Sequence, residues 1–556
     1  MTTIEASAVS RPTFRDFARE IAIGFLQTVV VVDNEAELHS EELISDLTPP
    51  SPRGGATEIE DESTEIDHGT SVGGRQRAVL DAKVLNESFA RVGLVCSVLR
   101  PAEQEDLSPL TVTVARRADI VVLDWKLFDN GERACSIIRQ IHSDDELRQE
   151  RLRLIAIYTA ESGLADIREA VRRTLLEVSH AEGIETDDNG GRVALKMGHM
   201  RIVFLEKGSP SNVNTNRFDE PTLPSRLVDE FSILAFGLLP TTVLAAISAV
   251  REETHRLLAR FHSDLDGASL SHRFLIPTAD DASQFIMQLI ADEVSAVLEV
   301  HQIGATVVGF GAIKLYLDML REEGRTFQLP PKAGQPAKPF AFESLLALAE
   351  HGCNALEGGT GGKKDTLYQR VPELLYRSLQ EGIERHCEFA RISSLRREAA
   401  QQKRFPPAWR PQLTQGSIIE VNGSYLVCIQ PLCDAVRLQA SRPFLFARLS
   451  VVEEKFDIIV RTSAGTDVRL AADLRPYQLI AMSFRPSEGA HFPVADKDAD
   501  GNFAFRPDGD SAKPARWIAD LREAHAMRLI QRVASRLSRV GLDEFEWQRK
   551  QAGADD

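Results

Sequence analysis

The sequence predicts an α/β protein with a five-stranded parallel sheet covered by helices. A helical region and a small antiparallel β-barrel with a C-terminal helix are expected to follow. Three observations support this prediction. Apolar runs alternate with segments of helical spacing through the first 237 residues, which is typical of repeated βαβ units. The helical period dominates over residues 240–403, and a period of two begins at residue 405. The 556 residues suffice for three or four domains.

The five predicted strands are short apolar runs, most of which end in a polar residue. They span residues 28–33, 93–99, 119–124, 152–159 and 201–206. Segments with apolar residues on one helical face lie between them, and a lead-in helix is predicted over residues 14–26. Because the strands are nearly continuous in valine, isoleucine and leucine, both faces of the sheet are expected to be covered.

Two polar segments interrupt this alternation and are predicted to be insertions in surface loops. The first, at about residues 35–77, is acidic and nearly free of aromatic side chains, which predicts disorder. The second, at about residues 180–199, is polar and contains several glycines. The predicted domains are an N-terminal helix (1–26), an α/β domain with both insertions (27–237), a helical region (240–403), a barrel (405–510) and a C-terminal helix (514–556).

Charge and cysteine usage exclude several classes of protein. The net charge of −17 gives no overall attraction for a phosphate backbone, so nucleic acid is not expected as a partner. The six cysteines show neither CxxC nor zinc-site spacing, which favours free thiols in a reducing cytosol. Residues 1–12 lack the pattern of a signal peptide, and Pro240 interrupts the apolar stretch at residues 231–250. A cytoplasmic protein without a membrane partner is therefore expected.

Chemically distinctive side chains stand at the ends of four predicted strands. Asp33 ends the first strand, Asp124 the third and Thr159 the fourth, while Lys207 follows the fifth. Because the carboxyl ends of parallel strands meet at one edge of a sheet, these residues are expected to lie together. Two carboxylates, with Glu35 as a further candidate ligand, offer the oxygen atoms that Mg²⁺ prefers. A carboxylate can also attack a phosphoryl group as a nucleophile.

Four short motifs at these strand ends resemble, in order, the signature of bacterial response-regulator receiver domains: Val-Val-Asp33-Asn34, Val-Leu-Asp124-Trp125, Tyr-Thr159-Ala160 and Leu-Glu-Lys207. The resemblance covers about residues 25–236 and implies a flavodoxin-like sheet. It implies Asp124 as the phosphoryl acceptor, Asp33 as a metal ligand for Mg²⁺ and Thr159 as the switch hydroxyl. Lys207 would be the family's lysine, and Phe204 stands where the family keeps a mobile aromatic side chain.

The resemblance also implies partners: a histidine kinase or phosphotransfer protein as phosphoryl donor, and an output protein of unknown identity. Such a protein is a phospho-acceptor regulator in a phosphorelay, and no enzyme activity is expected of it. Two departures favour an alternative, a degenerate receiver that serves as a non-catalytic scaffold. Asn34 replaces the second acid of the family's acidic pair, and Gly208 follows the lysine where proline is usual. The insertions and long extension are similar to receivers of bacterial conflict and phage-defence systems.

Two later segments leave alternatives open. The barrel's most distinctive polar cluster is Cys433, Asp434 and Arg437. It shows no nucleophile–base pair, so an interaction barrel is preferred to a nuclease. Residues 241–262 are predicted to form one long helix with an apolar stripe. That stripe would either make a homodimer across a two-fold axis or pack against the chain's own helices.

Overall fold

The computed structural model describes two compact units, Met1–Arg325 and Thr326–Asp556. The described residues are 12–37, 80–103, 108–147, 151–178, 183–211, 214–276, 279–329, 338–352, 355, 374–376, 378–435, 437–453, 455–462, 465–509 and 513–537. Most of the predicted insertion at 35–77 lies outside them. The division between the units falls inside the segment 240–403, which was expected to be a single helical region.

The first unit contains twelve helices and eight strands among its described residues. Its helices are α1 (Phe14–Phe25), α2 (Ala82–Arg91), α3 (Ser108–Ala115), α4 (Glu132–Leu147), α5 (Leu164–Leu176), α6 (Leu223–Leu234), α7 (Leu238–Glu252), α8 (Thr254–Arg260), α9 (Asp266–Leu275), α10 (Ala279–Val300), α11 (Ile303–Thr306) and α12 (Phe310–Glu322). Its strands are β1 (Thr28–Val32), β2 (Val95–Leu99), β3 (Ile120–Leu123), β4 (Arg153–Thr159), β5 (Glu185–Asp187), β6 (Ala194–Met197), β7 (Met200–Lys207) and β8 (Arg217–Phe218).

The sheet of the first unit confirms the predicted parallel α/β architecture. Its strands follow the order β2-β1-β3-β4-β7-β6-β5, with β8 also paired to β7. The pairs β1–β2, β1–β3, β3–β4 and β4–β7 are all parallel. Counting only these five strands gives the order 2-1-3-4-5, which is that of flavodoxin-like sheets.

Both faces of this sheet are buried, as the unbroken apolar runs predict. Side chains along β1 point alternately to opposite faces. Val29 and Val31 join a core with residues of α1, α2 and α6, including Phe89 and Phe231. Val30 joins a second core formed with α4 and α5. Because both faces of β1 are buried, only the end of this strand can be reached by solvent.

Within the second predicted insertion, 180–199, residues 185–197 form a β-hairpin on the sheet edge rather than a plain surface loop. β5 pairs antiparallel with β6, and β6 pairs antiparallel with β7. Gly190 and Gly191 lie between the two strands with φ of 65° and 75°, a conformation that favours glycine. The prediction missed the hairpin because its strands are only three and four residues long, which is too short for a clear alternating pattern.

The predicted long helix at 241–262 is broken. α7 ends at Glu252, Glu253 leaves the helical conformation with φ −90° and ψ 8°, and α8 begins at Thr254. Leu244 is buried, whereas Ile247 is exposed, so the expected apolar stripe does not share one face. The carboxylate of Glu253 holds the break through an ion pair of 3.0 Å with His301.

One helical stretch of the described residues, Ile303–Glu322, has the length and the mean hydropathy of 1.5 that a membrane span requires. Helices α6 and α7 meet these criteria only as a pair, and the chain bends by 117° between them. Core helices of soluble proteins have the same composition, and α12 buries Leu317 and Leu320.

The second unit is built on an antiparallel sheet. Its helices are α13 (Phe342–His351), α14 (Leu379–Ser394), α15 (Leu432–Ala435) and α16 (Glu523–Leu537). Its strands are β9 (Gln328–Leu329), β10 (Lys338–Pro339), β11 (Leu395–Glu398), β12 (Ser417–Val421), β13 (Ser424–Cys428), β14 (Arg442–Val451), β15 (Ile458–Arg461), β16 (Asp467–Asp473), β17 (Ile480–Phe484), β18 (Asp496–Lys497), β19 (Phe503–Phe505) and β20 (Ala515–Leu521).

The large sheet of this unit has ten strands in the order β15-β16-β14-β13-β12-β20-β19-β18, with β11 on β20 and β17 on β14. An antiparallel sheet was expected here, but it extends beyond the predicted barrel, 405–510, at both ends. The predicted C-terminal helix, 514–556, is wrong over its first residues, because residues 515–521 form β20. Trp517 and Ile518 are both buried, in different cores, so β20 lacks the apolar–polar alternation of a half-buried strand.

Candidate functional site

Two carboxylates stand at the carboxyl edge of the parallel sheet. Asp33 follows β1 and Asp124 follows β3, which are adjacent strands with Val32 opposite Leu123. The backbone N–H of Asp124 donates to the carbonyl of Val32 at 2.9 Å. Both carboxylate side chains are buried, although the strands before them are apolar. The register of β1 and β3 therefore brings the two acids to one place.

The ammonium group of Lys207 lies between these two carboxylates. Its Nζ is 2.6 Å from Asp33 Oδ2 and 3.1 Å from Asp124 Oδ1. The other oxygen of each carboxylate accepts a backbone N–H group. The N–H of Glu35 donates to Asp33 at 2.7 Å, and the N–H of Lys126 donates to Asp124 at 3.1 Å. The site is thus a buried cluster of two anions and one cation, with every carboxylate oxygen engaged.

The charges of this cluster shift one another's proton affinity. Burial raises the pKa of Asp124; the Lys207 ammonium opposes the shift, and the Asp33 carboxylate reinforces it. For Lys207, burial alone would lower the pKa, but Asp124 and Asp33 outweigh it, so its pKa is raised. Lys207 is therefore charged at neutral pH, and the cluster contains two carboxyl groups for one ammonium.

Thr159 ends β4 at the same edge of the sheet, opposite Glu206 in the register of β4 and β7. Its side chain is buried, and its Oγ1 accepts the backbone N–H of Glu161 at 3.2 Å. Phe204 on β7 is fully buried in the core on the α4–α5 side. The structure thus brings Asp33, Asp124 and Lys207 into contact and places Thr159 at the same edge.

An ion pair between Lys126 and Glu161 was not predicted from the sequence. Lys126 Nζ lies 2.7 Å from Glu161 Oε1, and both side chains are partly exposed. Each residue follows a site residue, Asp124 or Thr159, by two positions on an adjacent strand end. In the sequence, the pair is indicated only by two opposite charges, each two positions after a site residue. These positions indicate a contact only once β3 is known to pair with β4.

The structure explains why Gly208 stands where proline is usual. Its φ is 131°, and an added Cβ would lie 2.6 Å from the Nε atom of Arg217. Its backbone N–H donates to the carbonyl of Phe218 at 3.0 Å. Proline has neither this φ nor an N–H. The glycine is therefore required by the pairing of β7 with β8, and it is not by itself a sign of a degenerate site.

The oxygen atoms at this edge are of the kind that binds a hard cation such as Mg²⁺, but they are few. Among the described residues, no group of three or more His, Cys, Asp or Glu side chains is placed to hold a metal ion. Asp33 and Asp124 supply two carboxylates. The side-chain oxygen of Asn34 is buried without a hydrogen-bond partner, and such an atom is costly unless something binds it. Carboxylate and amide oxygens are the ligands that Mg²⁺ accepts.

The domain that carries this sheet edge is similar to a known protein family. The sequence model of the response receiver domain matches residues 25–212. This segment is therefore similar to response receiver domains. The match covers about a third of the chain and ends before α6. Neither curated proteins nor solved structures give a match to this chain.

The receiver domain gives the chain a response-regulator-like role in signalling. Receiver domains generally interact with histidine kinases or phosphotransfer proteins, and they typically bind Mg²⁺. Asp33, Asp124, Thr159 and Lys207 all lie within the matched residues. Glu35 does as well, and its backbone N–H supports Asp33.

Of the polar cluster predicted in the second unit, Asp434 is partly exposed and Arg437 is exposed. Cys433 and Asp434 belong to the four-residue helix α15. The Asp434 carboxylate is 3.9 Å from the guanidinium of Arg442, and both side chains are about half exposed. An exposed ion pair of this length contributes little energy. An interaction role for this sheet remains a prediction.

Proposed function

We propose that Asp124 takes a phosphoryl group from a histidine kinase or phosphotransfer protein, and that the chain acts as a cytoplasmic regulator rather than an enzyme. The observation that supports this proposal is the buried Lys207 ammonium held between Asp33 and Asp124. A lysine between the two carboxylates can donate to the phosphoryl oxygens when Asp124 is phosphorylated. The proposed output is a change in how the rest of the chain binds a partner protein.

In the proposed transfer, a carboxylate oxygen of Asp124 attacks the phosphorus of a phosphohistidine. The new O–P bond forms as the P–N bond breaks, and the imidazole nitrogen keeps the electron pair of that bond. The product is an acyl phosphate, whose phosphoryl group carries about −1.5 to −2 of charge at neutral pH; because the carboxylate gives up its own charge, the site gains about −0.5 to −1. Lys207 then donates to a phosphoryl oxygen. The Thr159 hydroxyl can donate to another, since its oxygen now only accepts from Glu161.

A Mg²⁺ ion would be held by Asp33 and Asp124, with the amide oxygen of Asn34 as a third donor and Glu35 as an alternative. When bound, it would neutralise charge on the phosphoryl oxygens. The excess of one carboxylate over Lys207 and the unpartnered Asn34 oxygen support this assignment. Asn34 carries no charge, so binding is expected to be weaker than at a site with a further acid.

Labelling with acetyl phosphate tests the proposal. The full chain, incubated with acetyl phosphate and Mg²⁺, should gain one phosphoryl group by intact-mass measurement. Asp124→Asn should abolish the gain. Asp129→Asn is the matched control, because Asp129 lies on the same loop and its carboxylate accepts nearby backbone N–H groups and pairs with the Arg133 guanidinium at 3.7 Å. Unmodified wild-type protein at millimolar Mg²⁺ would contradict the proposal.

A second candidate is a degenerate receiver that acts as an interaction scaffold, in a bacterial defence system for example. Asn34 in place of an acid favours it, as does the small number of carboxylates at the site. Under this alternative, Asp124→Asn would leave partner binding unchanged. Under the first candidate, the same substitution would remove the dependence of partner binding on phosphoryl donor.

A further inference from the structure

Tyr158 follows four apolar residues in β4 and directly precedes Thr159. Residues 154–157 are fully buried, and Tyr158 itself is only 2% exposed. Because successive side chains of a strand point to opposite faces, Tyr158 and Thr159 leave β4 in opposite directions. A buried hydroxyl is costly unless it has a hydrogen-bond partner. The contacts of the Tyr158 side chain therefore indicate its role.

The hydroxyl of Tyr158 ties β8 to the end of β7. It donates to the carbonyl oxygen of Phe218 at 2.9 Å, and the same oxygen accepts the backbone N–H of Gly208 at 3.0 Å. Both lone pairs of this carbonyl are therefore used. Burial raises the pKa of Tyr158, so its hydroxyl remains a donor. Since Phe218 pairs with Lys207 in the register of β7 and β8, the hydroxyl helps to fix the backbone of Lys207.

The ring of the same tyrosine contacts the ammonium group of Lys207. The Nζ atom lies over the ring, 5.7 Å from its centroid, and an aromatic face attracts a cation within about 6 Å. This attraction is stronger where water is excluded, and Lys207 is buried between Asp33 and Asp124. The ring accepts no conventional hydrogen bond. Because an ammonium has three N–H donors, one remains for a further oxygen atom after each carboxylate has received one.

We propose that Tyr158 is a positioning residue for phosphoryl transfer to Asp124, and that it acts by holding the Lys207 ammonium in place for the phosphoryl oxygen. This inference rests on the proposed function of Asp124. A lysine side chain is flexible, but Tyr158 constrains Lys207 at both ends. Its ring contacts the ammonium, and its hydroxyl anchors the strand that pairs with the Lys207 backbone. A cation that is ordered before the donor arrives needs less reorganisation during the transfer.

Acetyl-phosphate labelling of the full chain measures this positioning. Tyr158→Leu should lower the maximal initial rate by about tenfold, because the attraction between ring and ammonium is lost. Tyr158→Phe keeps the ring and should label within about threefold of the wild type, since it loses one neutral hydrogen bond. The Mg²⁺ concentration for half the maximal rate should not rise in either variant, because Asp33 and Asp124 are unchanged. A general loosening of the site would raise it.

Phe231→Leu is the matched control for the loss of a buried ring. Phe231 lies in the same core as Tyr158 and is fully buried, but its ring stacks on that of Phe25 with centroids 5.7 Å apart. Like Tyr158→Leu, this substitution should lower the stability of the chain in urea. Its maximal rate of labelling should nevertheless stay within about twofold of the wild type.

The reactivity of the Lys207 amine tests the contact without phosphoryl transfer. Only the neutral amine reacts in reductive methylation, and loss of the ring should lower the pKa of Lys207. Peptide mass spectrometry should therefore show that Tyr158→Leu speeds the methylation of Lys207 by at least about threefold. Tyr158→Phe and Phe231→Leu should leave this rate close to that of the wild type.

Unchanged methylation of Lys207 in Tyr158→Leu would overturn the proposal. Equal slowing of labelling by Tyr158→Leu and Phe231→Leu would also overturn it, because packing alone would then explain the effect. A Tyr158→Phe variant as slow as Tyr158→Leu would exclude the role of the ring. A wild type that gains no phosphoryl group would overturn the proposed function of Asp124, whereas faster methylation in Tyr158→Leu would still show that Tyr158 holds the Lys207 ammonium.

Discussion

At the scale of single residues, the Lys126–Glu161 ion pair spans the ends of two strands that carry site residues. The backbone N–H of Lys126 donates to Asp124, and that of Glu161 donates to Thr159. Their side chains meet at 2.7 Å on the solvent side. A phosphoryl donor that approaches Asp124 must reach this edge of the sheet. The prediction is that the ion pair restricts access to the acceptor.

We predict that breaking this ion pair speeds the labelling of Asp124 by acetyl phosphate. A partly exposed pair is worth about 0.2–1 kcal/mol, so Lys126→Ala should raise the initial rate by at most about fivefold. Glu161→Ala should have a similar effect, and the double variant should add little, because either change alone breaks the pair. Raising the salt concentration should give part of the same gain in the wild type only. Slower labelling in both single variants would contradict a gating role.

At the scale of elements, the edge hairpin β5–β6 is joined to α6 by buried charges. Glu230 on α6 is fully buried and accepts from three guanidiniums. They belong to Arg192 at 3.0 Å, Arg201 at 2.8 Å and Arg226 at 2.7 Å. Arg201 also pairs with Asp187 of β5 at 2.9 Å. One carboxylate thus ties the hairpin, β7 and α6 together.

We predict that Glu230→Gln lowers the free energy of unfolding by about 3–5 kcal/mol, because it leaves buried guanidiniums without their counter-charge. Urea denaturation would measure this difference. Asp229→Asn is the matched control on the neighbouring residue. Asp229 pairs with Arg19 at 2.6 Å but is 43% exposed, so its loss should cost less than about 1 kcal/mol. Equal effects of the two substitutions would show that the buried network does not hold the hairpin.

At the scale of the whole molecule, prediction from the sequence succeeded where local pattern decides the structure. The five parallel strands are apolar runs buried on both faces, and their ends placed Asp33, Asp124, Thr159 and Lys207 correctly at one edge. Contacts between residues distant in sequence leave no such pattern. Arg201 and Glu230 are 29 positions apart, and nothing local marks them as partners.

The same limit explains the errors in the later part of the chain. β20 was predicted as helix because its buried residues face two different cores. The length of a helix was overestimated at Glu253, whose carboxylate lies 3.0 Å from His301 in the turn after α10. The boundary between the two units at Arg325 is likewise set by packing, although a proline-rich stretch lies close by at residues 328–339.

The separate cores of the two units predict that residues 1–325 fold without the rest of the chain. Both cores that line the parallel sheet consist only of residues from the first unit, and the two remaining cores consist only of residues from the second. The 1–325 fragment should therefore unfold in a cooperative transition. It should also accept a phosphoryl group from acetyl phosphate at a rate within about twofold of the full chain.

A shorter fragment, 1–237, provides the control for that experiment. It ends where the α/β domain was expected to end, but it lacks α7 and α12. Leu244 of α7 belongs to the core under α1, and Tyr316 of α12 lies against Phe14 with ring centroids 5.1 Å apart. Uncovering a buried leucine alone costs about 1.5–3 kcal/mol, so this fragment should unfold at lower urea concentration than 1–325. A 1–237 fragment as stable as 1–325 would show that α7 and α12 are not part of the receiver's folding unit, and an aggregated 1–325 fragment would show that the first unit depends on the second.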